Sequence, residues 1–314
     1  MHPAASVIFF TSLSGLGYGL IVALSVATLF ELTSLDARTL ATGLFVGMVI
    51  AAFGLSLSLF HLGHPERAWR ALSQWRSSWL SREGVLAIAA FVPTVAACFI
   101  LFFQPARENS GLVHGLLIAS IVLSLATVFA TAMIYRSLRS IDAWFNPWVP
   151  FAYLSLALSS GFVLASAYAT SFGGEPGGLP KIAFGLVIVS AIIKLLYWAS
   201  IRRSQPTSNA ASALGMKGIK SASQFVAPHT QENYLMQEMG FQIARKHAEK
   251  LRKISIAVGF VAVLILLLPV LLETQKFNVV CLWLAVFAGM LGIVIERWLF
   301  FAEAKHTVML YYGR

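Results

Sequence analysis

Charged side chains are scarce in this protein: of 314 residues only 11% are Asp, Glu, Lys or Arg, while 58% are apolar. In soluble proteins roughly a quarter of the residues are charged, so an ordinary water-soluble domain is excluded. Cysteine is scarcer still. Cys98 and Cys281 stand far apart and make no CxxC, which argues against a disulfide framework and against a cysteine-ligated iron–sulfur cluster held by this protein. There is no Walker loop, no dinucleotide glycine fingerprint and no nucleophile elbow. A b-type haem needs two inward-facing axial ligands at matched depth. The histidines do not offer them: His114 opens an apolar run alone, and His2, His64, His229, His247 and His306 fall in tails or loops.

What the sequence has instead is apolar length. A helix needs about 20 largely apolar residues to cross the hydrocarbon of a bilayer. Eight runs meet that requirement: Ala4–Leu32, Thr39–Leu62, Gly84–Phe103, Gly111–Tyr135, Trp148–Phe172, Lys181–Ile201, Ile254–Glu273 and Asn278–Ala302. Lipid offers no partner to backbone N–H and C=O groups, so each run must be a helix or a strand of a closed barrel, and these runs lack the alternation of a barrel. The first run has no basic segment before it and is longer than a signal-peptide core, so it is expected to stay as an anchor. The sequence therefore reads as an all-α integral membrane protein, a single transmembrane domain over 1–314 built as a bundle of eight helices.

The formal charge of +10 does not point to nucleic acid, because the cations gather on one side of the expected membrane. That side holds Arg67, Arg70, Arg76, Arg82, Arg136, Arg139, Lys305, Arg314 and the whole basic stretch 202–253; the other holds only Arg38, Arg107, Lys181 and Lys276. Positive charge favours the cytoplasmic side, which places both termini there. Two cytoplasmic segments stand out. His64–Arg82 (HPERAWRALSQWRSSWLSR) is rich in Trp and Arg and suits a helix at headgroup level. Residues 202–253 form a loop too long to be a simple connection, with a Ser/Gly/Ala-rich start and a helix expected after Pro228, and read as a docking surface for a partner. The alternative is a mobile linker with an interfacial helix.

An ionisable residue within a span is a functional candidate, because its burial costs at least ~2.5–3.5 kcal/mol. Few occur: His61 ends the second run, Glu83 precedes the third, Lys194 lies inside the sixth, and Glu296 and Arg297 lie late in the eighth. The loop between the second and third runs returns the backbone to the same face, so His61 and Glu83 border one region. An imidazole and a carboxylate together supply the donor and the proton acceptor that a quinone requires. The plain alternative is that His61 caps one helix while Glu83 favours the start of the next. Lys194 has two readings, snorkelling to the rim or joining a buried cluster with Glu296 or Glu83. A third class of function, a secondary transporter built on Lys194, Glu296 and Arg297, would want broken helices and inverted repeats, and neither is evident.

The segment HLGHPERAWRALSQWRSSWLSREG (His61–Gly84) resembles the membrane-anchor subunit family of dimethyl sulfoxide reductase. The stretches PHTQENYLMQEMGFQIARKHAEKLR and ERWLFFAEAKH are similar to the same family, in the branch that includes the anchor of cytoplasmic sulfite-oxidising complexes. The resemblance implies a multi-pass subunit of the bacterial inner membrane, without haem or iron–sulfur cluster of its own. It would hold an iron–sulfur electron-transfer subunit and a molybdopterin catalytic subunit, exchanging electrons with a menaquinone or ubiquinone pool. It further implies that His61 and Glu83 are the quinone-linked pair. His64, Arg82, Lys194, Glu296 and Arg297 are further candidates, and the favoured direction is sulfite oxidation with quinone reduction, against quinol oxidation by a dimethyl sulfoxide reductase.

Overall fold

The computed structural model describes residues 4–61, 64–172, 175–203, 209–216, 222, 225, 243–272 and 278–312. The eight apolar runs form eight helices. They are α1 (Ala5–Leu29), α2 (Ala37–Leu57), α3 (Trp79–Phe103), α4 (Gly111–Arg136), α5 (Trp148–Ser171), α6 (Leu179–Arg203), α7 and α8 (Asn278–Ala302). α7 starts as Ile243–Ile256, passes through a π-helical stretch, Ala257–Ala262, and ends as Val263–Leu271. Each helix contains a segment long and apolar enough to cross a membrane. Among the described residues no strand forms, and a single isolated bridge joins Ile141 to His306.

The termini of these helices follow local chemistry. The Asp36 carboxylate accepts from the backbone N–H groups of Arg38 and Thr39 at 3.1 and 3.2 Å and so caps α2. Ser110 caps α4 by accepting from Val113 N–H. Between α5 and α6 the backbone turns through Gly177 at φ +50°, where a side chain would run into the Leu32 carbonyl. The neighbouring Gly178 N–H donates to that carbonyl at 3.0 Å, tying the α5–α6 turn to the α1–α2 turn.

α1 and α5 run through the middle. Buried residues make up 83% and 78% of their most apolar windows, whereas less than half is buried in each of the other six. With no hydrophobic drive between helices in lipid, close packing of small residues has to hold them together. Gly19 of α1 meets Gly161 of α5 at the crossing, where a Cβ on either would collide with the other backbone. Gly17 lies on Gly47 and Ala51 of α2 in the same way. At the far end of the sequence Gly259, inside the π-helical stretch, packs on Gly292 of α8, and Ser255 Oγ donates to the Gly292 carbonyl at 3.1 Å.

Two helices start well before the hydropathy reading. α3 begins at Trp79 rather than Gly84, because the Trp/Arg-rich connection ends early in a 3₁₀ helix, Pro65–Gln74, and the backbone re-enters the helix at once. α7 begins at Ile243, extending the apolar span with an amphipathic basic turn. Most of the helix expected after Pro228 lies outside the described residues.

Candidate functional site

Among the described residues four charged side chains are buried: Glu83 on α3, Lys194 on α6, and Glu296 and Arg297 on α8. All four fall in the half of the bundle that holds the start of α1, α3 and α5 and the end of α4, α6 and α8. Glu83 stands in the second turn of α3. Its Oε1 accepts from the Thr131 hydroxyl of α4 at 2.5 Å, and the Thr127 carbonyl lies 3.0 Å from the same hydroxyl. The approach to this helix is fixed by its neighbours. The Ser81 hydroxyl bonds the Ala71 carbonyl, while Arg82 donates to the carbonyls of Trp75 and Arg76 at 2.9 and 2.7 Å and stacks over Trp79. Arg82 is therefore occupied in holding the 3₁₀ connection against α3.

His61 ends a 3₁₀ turn, Ser58–His61, that continues α2. Its side chain lies outside the described residues, so the expected pairing with Glu83 stands on the sequence. His64 is exposed, with Nδ1 3.0 Å from Glu66 Oε1 and Arg67 Nε 3.7 Å from the same oxygen. It belongs to the surface and not to the buried group.

Lys194 does not snorkel. It is 2% exposed and forms an ion pair with Glu296 Oε1, while Glu296 Oε2 lies 3.1 Å from Arg297 Nε in a second ion pair. Aromatic faces cover the two cations: Lys194 Nζ lies 3.9 Å from the centre of the Tyr197 ring and 5.2 Å from that of Trp198, and Arg297 Cζ lies 3.7 Å over Tyr153. Tyr135, Trp144, Phe300 and Phe301 pack around them edge to face and stacked. Such contacts return part of the solvation a cation loses on burial, and the Glu296 carboxylate faces both cations, one with each oxygen.

Thr131 and Arg297 are brought to one place. Both border a cavity of about 20 Å³ between α1, α4, α5 and α8, together with Tyr153 and the hydroxyl residues Thr11, Ser12, Ser14 and Ser160. An apolar cavity of similar size lies beside it, between α1, α5, α6, α7 and α8, and shares Leu16, Leu156, Ser160 and Ile293 with it. A third opening, of about 300 Å³, lies at the rim between α6 and α7 and is lined by Trp198, Arg202, Glu249, Arg252 and Lys253. Arg252 there donates to Glu303 at 2.8 Å. Thr131 thus bonds Glu83 and borders the same cavity as Arg297. Thr131 and Tyr153 gave no sequence signal, since a Thr inside an apolar helix ordinarily bonds its own backbone and a Tyr there reads as core. No group of three or more His, Cys, Asp or Glu side chains able to hold a metal occurs among the described residues.

Comparison with known proteins spans the sequence from end to end. The family model described as DMSO reductase anchor subunit (DmsC) matches residues 1–313. The protein is 33% identical over 330 residues to the C subunit of sulfite dehydrogenase from Allochromatium vinosum, covering 99% of each protein. It is 25% identical over 170 residues to the C component of the anaerobic dimethyl sulfoxide reductase of Escherichia coli, covering 53% of this protein and 58% of that one. A second anaerobic dimethyl sulfoxide reductase component of that organism, YnfH, is 24% identical over 160 residues, covering 51% and 55%.

Proposed function

This protein belongs to the DMSO reductase anchor-subunit family, and from that premise we propose that it passes electrons between a partner iron–sulfur subunit and the membrane quinone pool. The complex is a sulfite dehydrogenase whose catalytic subunit holds molybdopterin, and electrons flow into the quinone. The observation that supports this choice over a quinol-oxidising dimethyl sulfoxide reductase is the extent of the likeness: it runs the full length of the sulfite dehydrogenase relative but only a little over half of each dimethyl sulfoxide reductase relative.

The quinone is bound near His61 and Glu83, at the end of the bundle that bears the buried charges. Glu83 serves as the proton-exchanging group there: a carboxylate held in the bundle by one hydroxyl is free to take up and release a proton, which a fully ion-paired carboxylate is not. Because tunnelling requires the partner's terminal cluster to lie close to the quinone, the catalytic dimer docks on this same face. The cation excess makes that face cytoplasmic, and residues 202–253 are the contact for the iron–sulfur subunit.

The test is made on the purified complex. His61→Ala and Glu83→Gln should each abolish sulfite-linked reduction of a short-chain quinone while sulfite oxidation with an artificial dye, and subunit stoichiometry, stay as in the wild type. Full quinone reduction in both variants, or a quinone analogue located far from both residues, would sink the reading. Protease accessibility in oriented vesicles checks the side: cleavage of 202–253 only from the periplasmic face would reverse the topology and favour the dimethyl sulfoxide reductase alternative.

A further inference from the structure

α6 and α7 part as they approach the rim. α6 packs on the last section of α7, Val263–Leu271, and hardly on the first, Ile243–Ile256, and the gap between them is the opening of about 300 Å³. That is the lower end of the size of small-molecule sites, roughly 300–1,000 Å³. The wall has two levels. Nearest the helix ends stand three cations, Arg202, Arg252 and Lys253, with one carboxylate, Glu249. Arg252 is held in place: its Nη2 donates to Glu303 Oε2 at 2.8 Å, and its Cζ lies 5.7 Å over the Trp198 ring. Arg202 and Lys253 are exposed, and among the described residues neither has an ion-pair partner. With Glu303 counted, the group holds three cations and two carboxylates, an excess of one positive charge. Further from the helix ends the wall is apolar, made by Leu195, Trp198, Ala199 and Ile256. Leu195 is itself exposed, and the apolar surface continues as exposed Ile192 on α6 and Val261 and Ile265 on α7.

We propose that the α6–α7 crevice binds one anionic phospholipid of the bilayer, its phosphodiester among Arg202, Arg252 and Lys253 and an acyl chain along Leu195 and the apolar surface beyond it. The inference is independent of the quinone site. Basic pockets between transmembrane helices suit anionic headgroups, and each Lys or Arg near a bilayer surface adds to the attraction. A phosphodiester carries one negative charge, which equals the excess on the wall. Glu249 can accept from a headgroup hydroxyl, such as the glycerol of phosphatidylglycerol offers. Trp198 suits the same level, because indoles gather where headgroups meet hydrocarbon. Arg252, already fixed by Glu303, loses little freedom when the phosphate arrives, which favours binding. A soluble partner protein would meet the cations but would leave the apolar wall beneath them uncovered. The chain attached to a lipid phosphate covers it.

The test uses the full-length protein in a non-ionic detergent, stripped of lipid and titrated with phosphatidylglycerol, while native mass spectrometry counts the lipids bound. Phosphatidylcholine and phosphatidylethanolamine, which carry no net charge, are the comparison. One phosphatidylglycerol should bind about tenfold or more tightly than either of them. Arg202→Gln with Lys253→Gln should weaken that binding by about tenfold, and Ala199→Phe, which fills the crevice and leaves its charge intact, should do the same. Arg203→Gln with Lys250→Gln removes two exposed cations outside the wall and should leave the affinity as in the wild type. Unchanged affinity in either crevice variant, an equal loss in the Arg203 and Lys250 variant, or displacement of the lipid by excess inorganic phosphate would overturn the proposal. So would release of the lipid when the iron–sulfur subunit is added, which would give the crevice to that protein.

Discussion

The Thr131 hydroxyl lies 2.5 Å from the Glu83 carboxylate across the α3–α4 contact, and Thr131 also borders a cavity that Arg297 lines. One small side chain therefore bonds the carboxylate and borders the same cavity as a member of the ion cluster, the two sitting on helices far apart in sequence. Glu83 is not merely favoured by the start of its helix; it is held from outside that helix.

Thr131→Val, nearly equal in shape, should destabilise the detergent-solubilised subunit by about 1–3 kcal/mol, the cost of leaving a buried acceptor without its donor. Thermal unfolding measures this. Combined with Glu83→Gln the two losses should be less than additive, as for residues in contact. Strict additivity would mean that the hydroxyl and the carboxylate do not interact.

Gly19→Val should prevent recovery of a folded subunit, because the new side chain meets the Ala157 carbonyl and the α5 backbone where α1 and α5 cross, and a well-packed contact of backbone on backbone cannot yield. Gly111→Ala, at the first turn of α4 with open space around it, should be neutral or stabilise by about 0.5–1 kcal/mol. Membrane yield and melting temperature separate the two; equal yields would refute the close crossing.

Asp36→Ala should cost about 1 kcal/mol by removing the cap of α2. The Thr39 hydroxyl and N–H hold the Asp36 carboxyl below its usual range, so its contribution is present above the unfolded pKa of about 4 and fades as the pH falls through the lower folded value. The gap between wild type and variant should thus close in acid. A gap that widened on acidification would contradict the cap.

Deleting 208–223 should release the iron–sulfur subunit from membranes without loss of the anchor itself. Sedimentation of the complex after mild detergent extraction reads the outcome. Unchanged retention would place the docking surface elsewhere.

Hydropathy alone located all eight helices, since a span of this length has few alternatives in lipid. It could not orient them. α6 and α8 are apolar nearly all round, so nothing in their period says that Lys194, Glu296 and Arg297 share an inner face; the sequence left snorkelling and burial open, and packing decided. Tyr153 and Thr131 stayed invisible for the same reason, as their partners lie on other helices. The edges failed where polar and apolar residues mix: Trp79 to Glu83 reads as interface, yet it opens α3, pinned by Ser81 and Arg82.

Synthesis of the polypeptide reaches Lys194 about a hundred residues before it reaches Glu296, at roughly 5–20 residues per second. For those seconds α6 must enter the bilayer bearing a cation whose counter-charge does not yet exist, at an insertion cost of about 2.5–3.5 kcal/mol. α8, with Glu296 and Arg297, is later drawn to that waiting charge. The ion pair thus closes only when the last span has arrived, and a polypeptide truncated before α8 leaves Lys194 without its Glu296 partner.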